Sequence, residues 1–200
     1  MSFKSWLKTG NMVDTDFAYR ELPEKLDIFD YETFNRSKTA FYVTCSNLET
    51  GKAEHIRCPE MTGKYMDCLR ASASMPFVSQ IVMIDGKPYL DGGITDSIPL
   101  KAAFNLGFDK NIVVTTRPAG YQKKPFALTW LAKIVYKKFP LFIEALRKRH
   151  LMYNQTLDEI AKLEKEHKIF VIRPSRYVKI SRMETNPEII AVSHITPPYS

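Results

Sequence analysis

Residues 80–99 restrict the fold of this chain more than any other stretch. Gln80-Ile81-Val82-Met83-Ile84 runs into Asp85-Gly86, and Lys87-Pro88-Tyr89-Leu90-Asp91 runs back. Asp-Gly supplies the two positions of positive φ that a tight type I′ turn needs, so the stretch predicts a β-hairpin. The returning strand ends on the carboxylate of Asp91, and Gly92 and Gly93 follow at once. Glycine lets the backbone turn sharply and lets another chain or a ligand approach closely. A carboxylate held at a strand end, with no side chains in front of it, suits a catalytic base. Asp-Gly is equally at home in a solvated turn, so the neighbouring residues have to decide.

Upstream stands Leu69-Arg70-Ala71-Ser72-Ala73-Ser74-Met75-Pro76-Phe77, and downstream stand Asp96-Ser97-Ile98-Pro99-Leu100 and then Gly107. This series resembles the second half of the patatin-like phospholipases, serine acyl hydrolases of lipids, and in particular their bacterial intracellular members. There an Ala/Ser-rich segment ending in Pro leads to a hairpin, to Asp-Gly-Gly and to a polar-Ile-Pro helix start. The resemblance extends from about residue 7 to about residue 190. It implies an α/β class, with part of a three-layer α/β/α fold around a mixed, partly parallel sheet. It also implies a lipid or ester substrate, no metal and no organic cofactor, and Asp91 as the catalytic aspartate of a Ser–Asp dyad.

The family's serine sits in a Gly-x-Ser-x-Gly elbow between a strand and a helix, preceded by a glycine-rich oxyanion turn. None of the eight glycines here brackets a serine at that spacing. In the family both elements lie in the first third of the domain. The expectation is therefore a domain truncated at its N-terminus, with residues 1–193 forming its C-terminal part. Such a chain carries the base without the nucleophile, is inactive alone and has the missing N-terminal part as its partner. The alternative is a non-catalytic lipid- or protein-binding remnant, and an elbow encoded just upstream of Met1 would discriminate the two.

Two hundred residues suffice to bury a core. No apolar run reaches the length of a membrane span. No signal-peptide pattern opens the chain, so the expected location is cytoplasmic, with peripheral contact at the inner membrane face. Cys45, Cys58 and Cys68 have no metal-ligand spacing; buried free thiols in a reducing compartment are the simple reading. The net charge of +7 is concentrated in residues 117–150, which carry +8 with Glu144 as the only acid, and the remainder is −1. No nucleic-acid-reading module accompanies this segment. It does pair Phe126, Trp130, Phe139 and Phe142 with Lys133, Lys137, Lys138, Arg147 and Lys148, a combination suited to an anionic bilayer surface. Aromatics turned into the core would leave the lysines as an ordinary solvated face.

Taken in order, residues 21–26 predict a single helical turn and residues 27–31 a loop. Residues 41–46 and 53–58 predict paired strands around a turn at 47–51. His55 on the second of these reads as a surface histidine, since a Ser–Asp dyad needs no imidazole. Residues 61–73 predict a helix stopped by Pro76. The small residues Ala71 to Ser74 suit close packing either beside a pocket or against the sheet. Pro99 suits the first turn of a helix over 100–106, with Gly107 at its C′ position. Residues 111–116 and 169–172 are near-continuous apolar strands of the type buried on both faces of a parallel sheet, and strand, helix, strand over 87–116 gives a βαβ unit. Helices are predicted over 126–138 and 141–153, and Thr156-Leu157-Asp158-Glu159 is a capping box for a third. Residues 189–192 look helical, and Pro197-Pro198 make 194–200 an expected disordered tail.

Acyl hydrolysis needs a nucleophile, a base and an oxyanion hole. Of these three parts the sequence supplies the base. A carboxylate of ordinary pKa accepts a serine proton weakly, and partial burial is the physical means of strengthening it.

Overall fold

The computed structural model of the chain describes residues 10–11 and 14–175. Its elements divide between two compact units, one formed by residues 1–99 and 125–152 and the other by 100–124 and 153–200. Helix α1 (Phe17–Leu26), wound in the wider π register, and α2 (Tyr31–Arg36) open the first unit. Asp30 caps α2 by accepting the Thr33 N–H at 2.8 Å. The 27–31 loop thus ends in an N-cap, and the helix that follows was not signalled by periodicity.

The first unit is built on a four-stranded antiparallel sheet of order β2-β1-β4-β3. Its strands are β1 (Tyr42–Asn47), β2 (Lys52–Arg57), β3 (Val82–Ile84) and β4 (Lys87–Asp91). The predicted hairpin is present: Asp85 and Gly86 take φ of 48° and 77°, and Val82 pairs with Tyr89. β4 also pairs with β1, placing Cys45 opposite Asp91 and Ser46 opposite Leu90. The side-chain period of two then sends alternate residues to opposite layers. On one face Val43, Cys45, Val82, Ile84 and Tyr89 pack with Cys68 and Ala71 of α3 (Lys64–Ser72). On the other, Leu48, Leu90 and Ile94 pack with Ala132 and Tyr136 and with Phe142 and Leu146. The last four lie along α5 (Thr129–Val135), the turn after it, and the start of α6 (Pro140–Lys165). This unit is a helix–sheet–helix sandwich, and the protein is α/β with both antiparallel and parallel sheet.

Phe77 has φ of 71°, unusual for a bulky residue. Its ring stacks on Phe126 and meets Tyr136 edge-on, and its N–H donates to the Tyr136 hydroxyl at 2.9 Å. The layer beneath the sheet thus holds a backbone conformation the residue would not choose alone.

In the second unit, α4 (Leu100–Asn105) ends at Gly107 with φ of 89°, as expected of a C′ glycine. β5 (Asn111–Val114) pairs in parallel with β6 (Ile169–Ile172). The crossover joining these parallel strands contains α5 and α6, so the βαβ connection runs from β5 to β6 rather than from β4 through α4 to β5. Neither strand is buried on both faces. Val113 and Ile169 point inward, while Ile112 and Val114 of β5 and Phe170 of β6 are 69%, 64% and 64% exposed. Each run is apolar on two faces, but among the described residues only one face is covered. The capping box at Thr156 starts no new helix, because α6 continues unbroken for 26 residues. Pro140 opens it, where the missing N–H costs nothing. Residues 189–192 and the tail at 194–200 lie outside the described residues.

The three thiols are buried and unpaired with one another. Cys45 Sγ donates weakly to the Cys68 carbonyl at 3.5 Å. Burial, helped by the neighbouring thiols, pushes the Cys45 thiol up to about 12 and the Cys58 thiol to about 11, from an ordinary 9.0. Both are therefore neutral when folded and ionise more readily when unfolded. Their contribution to stability is complete below about pH 9 and is lost as pH rises through about 11 to 12. At pH 8 we expect an aromatic disulfide reagent to titrate neither Cys45 nor Cys58 in the folded chain and to titrate both in denaturant. Denaturant midpoints should fall between pH 9 and pH 11, and by less in a Cys45→Ala, Cys58→Ala variant.

Candidate active site

Asp91 ends β4, an inner strand of the sheet, and a 3-10 turn (Gly92–Ile94) carries the chain away. Main-chain bonds fix the residue on both sides. Its N–H donates to the Ser74 carbonyl at 2.9 Å, just beyond the end of α3. Its carbonyl accepts from the buried Ser46 hydroxyl at 2.7 Å, and Ser46 also bonds the Thr95 hydroxyl at 2.8 Å. The carboxylate caps its own turn, with Oδ1 accepting the Gly93 N–H at 2.7 Å. Oδ2 has no hydrogen-bond partner among the described residues. Asp91 is partly buried and lines a cavity of about 330 Å³ together with Tyr42, Thr44, Leu69, Ser72 and Ser97.

The two glycines have different reasons to be there. A Cβ on Gly92 would stand 2.1 Å from the Thr44 carbonyl oxygen, so only glycine lets the turn lie against β1. A Cβ on Gly93 would stand 3.1 Å from Asp91 Oδ1 and 3.4 Å from the Arg149 guanidinium. The Gly93 carbonyl accepts two bonds, from the Ser97 hydroxyl at 2.6 Å and from Arg149 Nε at 2.6 Å. Arg149, from α6, thus supports the turn that supports Asp91. Sequence reasoning counted Arg149 only within a basic run, and no spacing rule links positions 56 residues apart.

The small residues before the hairpin serve both purposes considered for them. Ala71 is fully buried between α3 and the sheet, Ser72 lines the cavity, and Ser74 holds Asp91 through its carbonyl. His55 is no free surface histidine. Its side chain is 27% exposed, Nδ1 lies 3.0 Å from the Thr44 hydroxyl, and Nε2 lies 3.4 Å from Asp96 Oδ2. It ties β2 to the residues after Gly93 and makes no contact with Asp91. A larger cavity of about 570 Å³ lies between α1 and α3, lined by Asp16, Arg20, Asp67 and Arg70. It presents neither Asp91 nor a hydroxyl paired with a base, so its size does not make it the better candidate. No group of acidic, histidine and cysteine side chains among the described residues could hold a metal ion.

A hairpin-borne carboxylate at a strand end, steadied by a glycine pair and set over a cavity, defines an α/β protein with a built carboxylate site. The chain belongs to the patatin-like phospholipase family, whose pattern it matches over residues 2–104, just over half its length. Residues 139–193 match a domain of unknown function (DUF6363), a range that contains the whole of α6 and β6. The chain is 30% identical over 123 residues to the uncharacterized protein YjjU of Escherichia coli (strain K12), an alignment covering 57% of this chain and 32% of that protein. It thus aligns with about a third of the length of this curated relative. No helix among the described residues is long and apolar enough to cross a membrane.

We expect Gly92→Ala to cost about 3 kcal/mol, the upper end of overpacking, because the atom it meets is backbone. Gly93→Ala should cost under about 1 kcal/mol, since side-chain ends give way by a few tenths of an ångström. Urea denaturation of both variants with unchanged m-values checks the difference.

Proposed function

We propose that this chain carries the base of a lipid acyl hydrolase, with Asp91 as the base of a Ser–Asp dyad. The observation that supports it most is the state of the carboxylate. Its backbone is fixed by Ser74 and Ser46, Oδ1 is held by the Gly93 N–H, and Oδ2, beside a cavity, has no hydrogen-bond partner among the described residues. Membership of a family of lipid hydrolases supports the substrate class. In this reading a serine hydroxyl enters the cavity opposite Oδ2. As the serine oxygen attacks the ester carbonyl, its proton passes to Asp91 and then to the departing alcohol. Water, deprotonated by the same carboxylate, next releases the acid from the acyl-serine. Backbone donors facing the developing oxyanion are a separate requirement.

These 200 residues contain no Gly-x-Ser-x-Gly elbow. The purified chain should therefore leave p-nitrophenyl butyrate unhydrolysed above the buffer rate. Turnover blocked by a fluorophosphonate would overturn that expectation. In a protein that carries this chain together with such an elbow, Asp91→Asn keeps the shape and removes the charge. It should lower kcat by about 10²- to 10⁴-fold with KM nearly unchanged. Near-normal kcat in that variant would reject Asp91 as the base and favour a binding role for the cavity.

A further inference from the structure

The outer face of α5 has no use in the site described above. Along this helix Ala132 and, just beyond it, Tyr136 are buried against the sheet. The opposite side presents Trp130 at 61% and Ile134 at 63% exposure, with Val135 beside them and Leu128 and Leu141 exposed at the two ends. Trp130, Lys133 and Ile134 follow helical spacing along α5, so they share one side, and Lys137 lies in the turn that follows. Lys133, Lys137 and Lys138 are all exposed, and none forms an ion pair among the described residues.

The structure also removes several residues from this face. Phe142 is fully buried, and Phe126 and Phe139 pack against the layer beneath the sheet. Arg147 and Lys148 are both engaged by Glu144, at 2.8 and 2.9 Å.

We propose that this face, Trp130, Ile134 and Val135 edged by Lys133, Lys137 and Lys138, docks on an anionic lipid bilayer. The argument is one of complementary chemistry. An exposed indole beside aliphatic side chains fits the headgroup boundary, where its ring is apolar and its N–H meets water. Lysines flanking such a stripe keep their stems along the apolar surface and their ammonium groups among lipid phosphates. The one acid within residues 117–150 is Glu144, already held by Arg147 and Lys148, so no acid of this segment is left to neutralise the three lysines. Docking deepens the lipid-hydrolase reading by specifying how the substrate surface is met. It is measured without turnover, so a silent Asp91 leaves it standing.

The chain has two tryptophans, Trp6 and Trp130, and a Trp6→Phe variant makes Trp130 the sole reporter. Added to mixed phosphatidylcholine–phosphatidylglycerol vesicles at low salt, this variant should sediment with the lipid and its emission should shift to the blue. Both effects should fade with phosphatidylcholine alone and as salt rises. A Lys137→Ala, Lys138→Ala pair should weaken partitioning on the order of 10- to 30-fold, since each basic group near the surface adds roughly 1 kcal/mol. The pair Lys162→Ala, Lys165→Ala at the far end of α6 should change it little. Folded protein that stays in the supernatant with anionic vesicles would overturn the proposal. So would binding indifferent to lipid charge, or Trp130 emission already blue without lipid, which would mean that protein covers the face.

Discussion

The approach of Gly92 to the Thr44 carbonyl is the contact on which the site depends. β1 is an inner strand, paired along its length with β2 and, from Cys45 to Asn47, with β4, so its backbone is firmly held. A turn laid against that backbone inherits its rigidity. Asp91 precedes the contact by one residue, and its N–H and carbonyl are both bound within the same few ångströms. Geometry of this kind requires a residue without a side chain. The glycine after Asp91 is therefore a steric demand of β1, whatever chemistry the carboxylate performs.

Local signals in the sequence carried the hairpin, its turn and the strand-end carboxylate, because each depends on residues within a few positions of one another. The rest of the site was hidden for a physical reason. Ser46, His55, Asp96 and Arg149 reach the turn through register and packing between segments far apart in the chain, and no periodicity encodes such pairings. His55 shows the difference. A strand of partly exposed residues looks like open surface until the next strand and a loop supply Thr44 and Asp96 as partners.

Two local rules were overridden by larger structure. Thr156 and Glu159 match a capping box, but a cap forms only where a helix begins, and the apolar side formed by Phe142, Leu146, Tyr153 and Ile160 runs through that point without a break. Pro140 was the true boundary. Likewise, the apolar runs at β5 and β6 predict strands buried on both faces. Apolar composition states only that a strand tolerates burial on both faces, and neighbouring elements decide whether it occurs. Among the described residues, Ile112, Val114 and Phe170 have no such neighbour.

The six cations from Lys133 to Arg149 separate into three populations once their surroundings are known. Arg149 turns inward and binds a carbonyl, so its charge organises the turn beside Asp91. Arg147 and Lys148 share Glu144, whose carboxyl is held down at about 2 chiefly by the Arg147 hydrogen bond. Fully exposed pairs of that kind stabilise little, but they neutralise cations that would otherwise add to the surface field. Lys133, Lys137 and Lys138 stand beside an exposed tryptophan and form no ion pair among the described residues. A count of +8 over residues 117–150 says nothing of this division. What sets it is which face of α5 and α6 meets the sheet, and that follows from burying Ala132, Tyr136, Phe142 and Leu146. The apolar pattern that builds the layer beneath the sheet thereby also determines which cations reach the solvent together.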